Sequence, residues 1–303
     1  MNRFLAYAQL VRLPNAFTAM ADIVLAGLAI GAFPSHWLVF SCLLLASVSL
    51  YSGGMVWNDY FDFEQDLRER PFRPLPSGRV TKSAAFWLGA GLLAAGLLFA
   101  GIADAISGGD RQRASIVAGL LVVAILLYDG GLKRTAMGPI AMGSCRFLNI
   151  LLGLTATGQA IPTWGWLLAL AVGTYIAGVT WFARTEAHTS NQNALKLAAG
   201  VMLLGVLFAL GVPALAQANE HPMATSPGFP YLLVAFVGYL ALAILPAIIK
   251  PVPQRVQPAV KRAVLGLVLL DAIVATSLVG LAGLALALLL APAMWLGKWI
   301  YST

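Results

Sequence analysis

Apolar residues in this chain come in long blocks separated by short polar breaks, with no strand-like alternation. A helix needs roughly 20 mostly apolar residues to cross the hydrocarbon layer of a bilayer. Ten stretches approach that length, at 14–33, 37–58, 84–103, 114–129, 138–159, 164–183, 195–214, 230–249, 262–280 and 283–299. Only Gly280-Leu281-Ala282-Gly283 divides the last two, so the pattern predicts nine or ten spans. No break holds a soluble domain, and no repeat or low-complexity segment interrupts the order. The expected fold is all-α, a polytopic transmembrane helical bundle forming one integral membrane domain over 1–303.

Composition narrows the classes. Residues AVILMFWYC make up 60% of the chain and DEKR only 10%, with mean hydropathy +0.84. A soluble domain carries about 25% charged residues, so a soluble enzyme, a disordered chain and a secreted disulfide scaffold are all excluded. Cys42 and Cys145 lie in apolar runs without metal-ligand spacing and read as small buried residues. The N-terminus, with Arg3 and Arg12 before a run interrupted by Asp22, reads as an uncleaved first helix.

The net charge of +7 is a matter of placement. With a cytoplasmic N-terminus and ten spans, sixteen of the nineteen Lys and Arg residues fall on the cytoplasmic face. Arg111 and Arg113 fall on the other face and Arg146 within a span. The charge therefore belongs to one membrane face, and no nucleic-acid partner is needed to explain it. The expected location is a bacterial inner (cytoplasmic) membrane, with both termini and the charged loops cytoplasmic.

The longest charged stretch runs from Asn58 to Lys82, after the second apolar block. If the helix continues through it, Asn58, Asp62 and Asp66 repeat at i, i+4 and i+8 and share one face, with Asp59 and Glu64 pointing elsewhere. Oxygen ligands crowded on one face repel one another unless a cation sits among them, and hard oxygens suit Mg²⁺ better than zinc. Arg68, Arg70, Arg73 and Arg79 follow, among Pro71, Pro74 and Pro76. Carboxylates before a stiff arginine-rich loop suit a magnesium-bound diphosphate, whose oxygens the arginine forks clamp. A solvated acidic helix end followed by anchoring cations is the plainer alternative.

The motif Asn58-Asp59-x-x-Asp62-x-x-x-Asp66, followed by Arg73-Pro74-Leu75-Pro76-Ser77-Gly78, resembles the first aspartate-rich motif of the UbiA superfamily of intramembrane prenyltransferases. Arg12-Leu13-Pro14-Asn15 and Tyr128 with Leu132-Lys133-Arg134 resemble further segments of it. The resemblance implies a helical bundle around a central cavity with cytoplasmic cap loops. It implies Mg²⁺ bridging the diphosphate of a polyprenyl donor, an allylic cation and a small-molecule acceptor, unidentified, that attacks it. Metal ligands are then expected at Asn58, Asp59, Asp62, Asp66 and Glu186. Diphosphate contacts are expected from Arg68, Arg73, Arg79, Tyr128, Lys133, Arg134 and Arg184. Asp62, Asp66, Lys133 and Arg146 are expected to carry catalysis, and Arg12, Asn15, Asn149 and Ser190 to meet acceptor or cavity.

The superfamily's second Asp-x-x-x-Asp motif is missing at the end of the sixth block. There Glu186 and Ser190 keep only the i, i+4 spacing, beside Arg184. The pieces Tyr128-Asp129-Gly130-Gly131-Leu132-Lys133 and Ala183-Arg184-Thr185-Glu186-Ala187 resemble the EboC-like branch, associated with gene clusters of secondary metabolism. Asp129 is either a replacement carboxylate or a turn residue. Arg146 and Asn149 either line the cavity or pair with a buried acid such as Asp22 or Asp271. His188 is a base near Glu186 or a plain loop residue, and His36 and His221 belong to opposite-face loops. Trp57, Phe61, Trp181 and Phe182 either touch the isoprenoid or form an interfacial belt. Three functions follow: a prenyltransferase, a terpene cyclase using the donor alone, or a non-catalytic carrier.

Overall fold

The computed structural model describes residues 3–108, 112–186, 189–218 and 226–300, with no strand among the described residues. Arg111, His188 and His221 lie outside them. The chain opens with α1 (Arg3–Leu10) and α2 (Leu13–Ala29), bent by 43° between them. Pro14 sits in the first turn of α2, where its missing N–H costs nothing. Arg12, at the bend, adopts the left-handed conformation (φ 49°, ψ 48°), uncommon for a residue with a side chain.

Next, α3 (Trp37–Phe61) runs almost unbroken into α4 (Phe63–Glu69). The Asp62 N–H donates to the Asn58 carbonyl at 3.0 Å and the Asp66 N–H to that of Asp62 at 2.8 Å, so helical register carries through the motif. The proline-rich loop ends at Thr81, whose hydroxyl caps α5 (Lys82–Ser107) by accepting from the Ala84 N–H at 3.2 Å. There follow α6 (Arg113–Gly130), a 3-10 turn at Leu132–Arg134, α7 (Gly138–Leu154), α8 (Thr163–Ala183), α9 (Gln192–Ala218), α10 (Phe229–Ile249) and α11 (Pro253–Val279). The described chain closes with a 3-10 stretch, Gly280–Leu289, and α12 (Leu290–Ile300).

Seven of these stretches are long and apolar enough to cross a membrane, or eight if the bent α1–α2 pair counts as one span. The apolar helix α7, at 17 residues, is shorter. Pro253–Ile300 counts once among the seven although the chain turns within it, and the stretch read as 283–299 begins as 3-10 helix, with α-helix only from Leu290. Gly280 (φ 72°) turns the chain, and ten residues follow in the tighter 3-10 form before α12 begins. A Cβ on Gly283 would lie 2.6 Å from the Ala275 carbonyl carbon, so the returning chain lies directly on α11. Its end is tied back to the beginning, where Gln9 Nε2 donates to the Ile300 carbonyl at 3.0 Å.

Helices in lipid gain little from the hydrophobic effect between them, so close approach rests on small residues. A Cβ on Gly205 would come within 2.6 Å of the Tyr175 nitrogen, which lets α8 and α9 touch along their length. Leu98, Val234, Leu242 and Ile249 point outward as a lipid-facing surface. At the end remote from the motif, Asp104 accepts from the Ala114 and Ser115 N–H groups and closes the α5–α6 connection. Cys42 and Cys145 are unpaired and half-buried within helices.

Candidate active site

Four acids, three from the end of α3 and α4 and one from the end of α6, are sorted by the fold into two pairs. Asp59 and Asp66 are seven residues apart, close to two helical turns, and Arg73 joins them. Its Nη1 donates to Asp66 Oδ2 at 2.7 Å and to Asp59 Oδ1 at 3.4 Å. Arg12 Nη2 reaches Asp59 Oδ1 at 3.1 Å from the other side and Asn58 Oδ1 at 3.4 Å. Asp59 and Asp66 are both buried, at 4% and 3% exposure. The expectation that Asp59 points away from the motif face is thereby corrected, since seven-residue spacing returns it to Asp66. Burial pushes the Asp66 carboxyl above the ordinary aspartate range, and Arg73 acts against that rise.

The second pair is Asp62 with Asp129. Lys133 Nζ lies 2.7 Å from Asp62 Oδ2 and 3.7 Å from Asp129 Oδ1, while Arg134 Nη2 donates to Asp62 Oδ1 at 3.1 Å. Asn58 Nδ2 donates to Asp129 Oδ1 at 2.9 Å, which brings the end of α6 against the motif helix. Asp129 is therefore a member of the cluster.

Two cavities meet this cluster. One, of about 340 Å³, is lined by Arg12, Arg70, Arg73 and Arg79 against one acid among the described residues, Asp59. Four guanidinium groups around one space make an anion chamber. Arg79 is braced there by Gln9 Oε1 and the Phe72 carbonyl, both of which accept from it. The other cavity, of about 70 Å³, is an apolar slot among α2, α3, α6 and α7, reached by Tyr51, Met55, Tyr128, Met142, Arg146 and Asn149.

At the inner end of the slot lies a second ionic group. Arg146 donates to Asp22 Oδ2 at 3.0 Å and to Thr18 Oγ1 at 2.7 Å, with its guanidinium 5.4 Å from the Tyr51 ring centre. Asn149 donates to Asp22 and to the Ala19 carbonyl and accepts from Ser47 Oγ. Arg146 thus both lines the cavity and pairs with a buried acid. Asp271 is also fully buried, on α11.

The structure disperses other expected residues. Arg68 stands in a separate exposed cleft with Glu64, Gln65, Glu69 and Arg134, and Arg70 takes the place in the anion chamber. Arg184 is exposed and makes no ion pair among the described residues. Glu186 and Ser190 do not share a helical face, because α8 ends at Ala183. Ser190 is spent locally, accepting from Thr185 Oγ1 at 2.7 Å and donating to the Thr185 carbonyl at 3.1 Å. Burial raises the Glu186 carboxyl, and Arg70, which also acts on Asp66, opposes the rise. Trp57 and Phe61 pack with Tyr60 and Phe86 on the α5 side, and Phe182 is core.

Among the described residues no three His, Cys, Asp or Glu side chains converge as a metal cage. The donors nevertheless fit Mg²⁺, which keeps waters and binds through one or two carboxylates plus substrate phosphates. Asp59, Asp62 and Asp66 are hard oxygen donors that each already draw a cation.

This helical bundle with an acid-and-arginine mouth is the architecture of a known class. The UbiA prenyltransferase family model matches residues 21–254, and the chain belongs to that family. It is 34% identical over 166 residues to the digeranylgeranylglyceryl phosphate synthase of Methanopyrus kandleri, covering 55% of this chain and 58% of that one. It is 38% identical over 145 residues to that of Methanothrix thermoacetophila, covering 47% and 50%. The chain thus spans about half the length of the curated relatives it matches. A solved digeranylgeranylglyceryl phosphate synthase superposes with TM-score 0.68 at 19% identity, over 92% of this chain and 99% of that one. A UbiA homologue from Archaeoglobus fulgidus bound to GPP and Mg²⁺ does so with TM-score 0.61 at 14% identity, over 89% and 99%. At such identities the structures speak for the fold. These relatives bear on the family, not on the EboC-like branch.

Proposed function

We propose that the protein transfers an isoprenoid chain from a polyprenyl diphosphate to a nucleophilic acceptor within the membrane. The observation that carries this reading is the adjacency of the arginine chamber, the two acid pairs and the apolar slot in one member of this family. The diphosphate occupies the chamber, with Arg12, Arg70, Arg73 and Arg79 on its oxygens and Lys133 at its edge. Asn58, Asp59, Asp62 and Asp66 would hold Mg²⁺, with Asp129 beside them and Glu186 further out near Arg70. The bound metal would stabilise negative charge on the departing diphosphate.

Arg73 has two uses in this reading. It neutralises Asp59 and Asp66 while the site is empty of substrate, and it turns to phosphate oxygen when a cation replaces it. The bond from allylic carbon to diphosphate oxygen breaks with its electron pair on oxygen, where the guanidinium groups receive the charge. The acceptor's nucleophilic atom then bonds to the carbon and loses its proton. The slot keeps water from the cation. Ligand sites usually run to about 300–1,000 Å³, so an isoprenoid enters only as Met55 and Met142, with their flexible side chains, move aside.

The sorting of basic residues supports a cytoplasmic placement of the site end. The relatives are archaeal, so this orientation rests on the chain's own charges. The test is product analysis with the full chain in nanodiscs, Mg²⁺ and donors of graded length. Diphosphate release that requires an acceptor is expected. A cyclic product from donor alone would replace transfer by cyclisation, and no diphosphate release under any pairing removes the enzymatic reading.

A further inference from the structure

We propose that Asp22 on α2 and Asp271 on α11 form a buried proton site, in which Asp271 is a neutral carboxylic acid that donates to the ionised Asp22. Both residues are fully buried, and their carboxyl groups face each other within hydrogen-bonding reach. Arg146 and Asn149 both donate to Asp22 Oδ2. Asp22 Oδ1 and both oxygens of Asp271 meet no donor among the described residues. Bare carboxylate oxygens inside the bundle carry a heavy desolvation cost. A carboxyl hydrogen between Asp271 and Asp22 Oδ1 serves one oxygen of each acid at once, as in carboxyl pairs that share a proton. The charges agree, because two acids face one guanidinium and a single proton brings the group to zero.

The elements packed around α11 bring no second cation to Asp271. Asp22 comes from α2, and Arg146 from α7 with Tyr51 of α3 over its guanidinium. On α8, Tyr175 gives its O–H to the Ala263 carbonyl at 2.8 Å, and on α10 Tyr239 stacks with Arg262. Lys196 of α9 is exposed, and the 3-10 stretch Gly280–Leu289 has no ionisable side chain. A metal ion suits the place less well than a proton. Hard cations take about six oxygens or more, and among the described residues no third acid joins these two. Asp271 is thus a positioning residue: it holds Asp22, which holds Arg146 at the inner end of the slot. On the prenyl-transfer reading above, an isoprenoid in the slot then meets a polar end of zero net charge.

The test is infrared spectroscopy of the full chain in dodecyl maltoside, free of ester lipid, at mildly alkaline pH. Wild type is expected to show the C=O stretch of a protonated carboxylic acid, which shifts when aspartate is labelled with carbon-13 and moves only slowly in D₂O. The band is expected to vanish in Asp271→Asn. No label-sensitive band in wild type overturns the proposal without need of any variant. A band that persists in Asp271→Asn, or that added sodium abolishes in wild type, overturns it as well. Thermal midpoints give an independent reading. Asp271→Asn keeps a neutral donor for Asp22 Oδ1 and should hold the wild-type midpoint, whereas Asp271→Leu leaves that oxygen bare and should lower it. Equal midpoints in the two variants overturn the donor role of Asp271. None of these measurements needs a substrate, so their failure leaves the prenyl-transfer reading standing, and absence of diphosphate release leaves the proton site standing.

Discussion

Two ionic clusters in this molecule use the same side-chain types to opposite ends. At the mouth, Asp59, Asp62 and Asp66 on α3 and α4 are met by cations from three other segments. Arg12 comes from the left-handed bend, Arg73 from the proline-rich loop, and Lys133 and Arg134 from a 3-10 turn. Within the bundle, Asp22 is met by Arg146 and Asn149, one turn apart on α7, with Thr18 and Ser47 completing their bonds. Every cation at the mouth sits at a loop, turn or helix bend and can exchange its carboxylate for a phosphate without moving a helix. The bonds Asp22 makes to Arg146 and Asn149 both run from α2 to α7 and tie those two helices together. On the reading proposed above, the pairs at the mouth serve the substrate and the inner pair holds helices together.

The largest expected effect breaks the first cluster. Asp62→Ala and Asp66→Ala should each lower diphosphate release by about a hundredfold or more, the scale of removing one group that stabilises transition-state charge. Thermal stability should change little, because Lys133 and Arg73 retain a second acid in Asp129 and Asp59. Parallel measurement of release rate and thermal midpoint checks this. If stability falls as far as activity, the mouth is architecture as well, and the contrast fails.

Asp22→Ala should act in the reverse sense. It removes the carboxylate that Arg146 and Asn149 both bond, leaving Asp271 as the remaining buried acid near Arg146, and breaking a buried pair from one side costs about 3–5 kcal/mol. The midpoint of denaturation in detergent should drop accordingly, with activity per folded molecule falling much less than for Asp66→Ala. A stable but inactive Asp22→Ala protein would move the inner cluster into the reaction.

The difference between the clusters also explains what was legible in the chain. Local spacing carried the mouth: Asn58, Asp59, Asp62 and Asp66 lie within nine residues, and the arginines follow directly. The membrane class and nearly all helices came from apolar block length, which depends on the bilayer and not on tertiary contacts. What spacing does not report is partner choice across the bundle. Asp22 with Arg146 joins residues 124 apart, and the reading of the chain left open which buried acid Arg146 meets. The same limit placed Arg68 ahead of Arg70 in the anion chamber, since a loop's turns decide which arginine faces inward. Glu186 and Ser190 were aligned by helical spacing, but the helix ends before both of them. The break at Gly280-Leu281-Ala282-Gly283 was legible, but the 3-10 form that follows it was not, because its Gly-Ala-Leu composition suits a helix of either pitch.

The smallest expected effects sharpen the boundary of the mouth. Arg68→Gln and Arg184→Gln remove charges that sequence order alone would assign to diphosphate. Arg68 instead faces Glu64 and Glu69 in an exposed cleft, and Arg184 is exposed without an ion pair among the described residues. Exposed substitutions of this kind usually shift free energies by no more than about 0.5 kcal/mol, so kcat/KM for the donor should stay within about twofold of wild type. Arg73→Gln, assayed alongside, should fall far below both, because it frees Asp59 and Asp66 to repel each other and takes a guanidinium from the chamber. A drop in Arg68→Gln equal to that in Arg73→Gln would mean that the loop reorganises around bound diphosphate and draws Arg68 inward. The set of replaceable cations would then reach beyond those that now touch the acids.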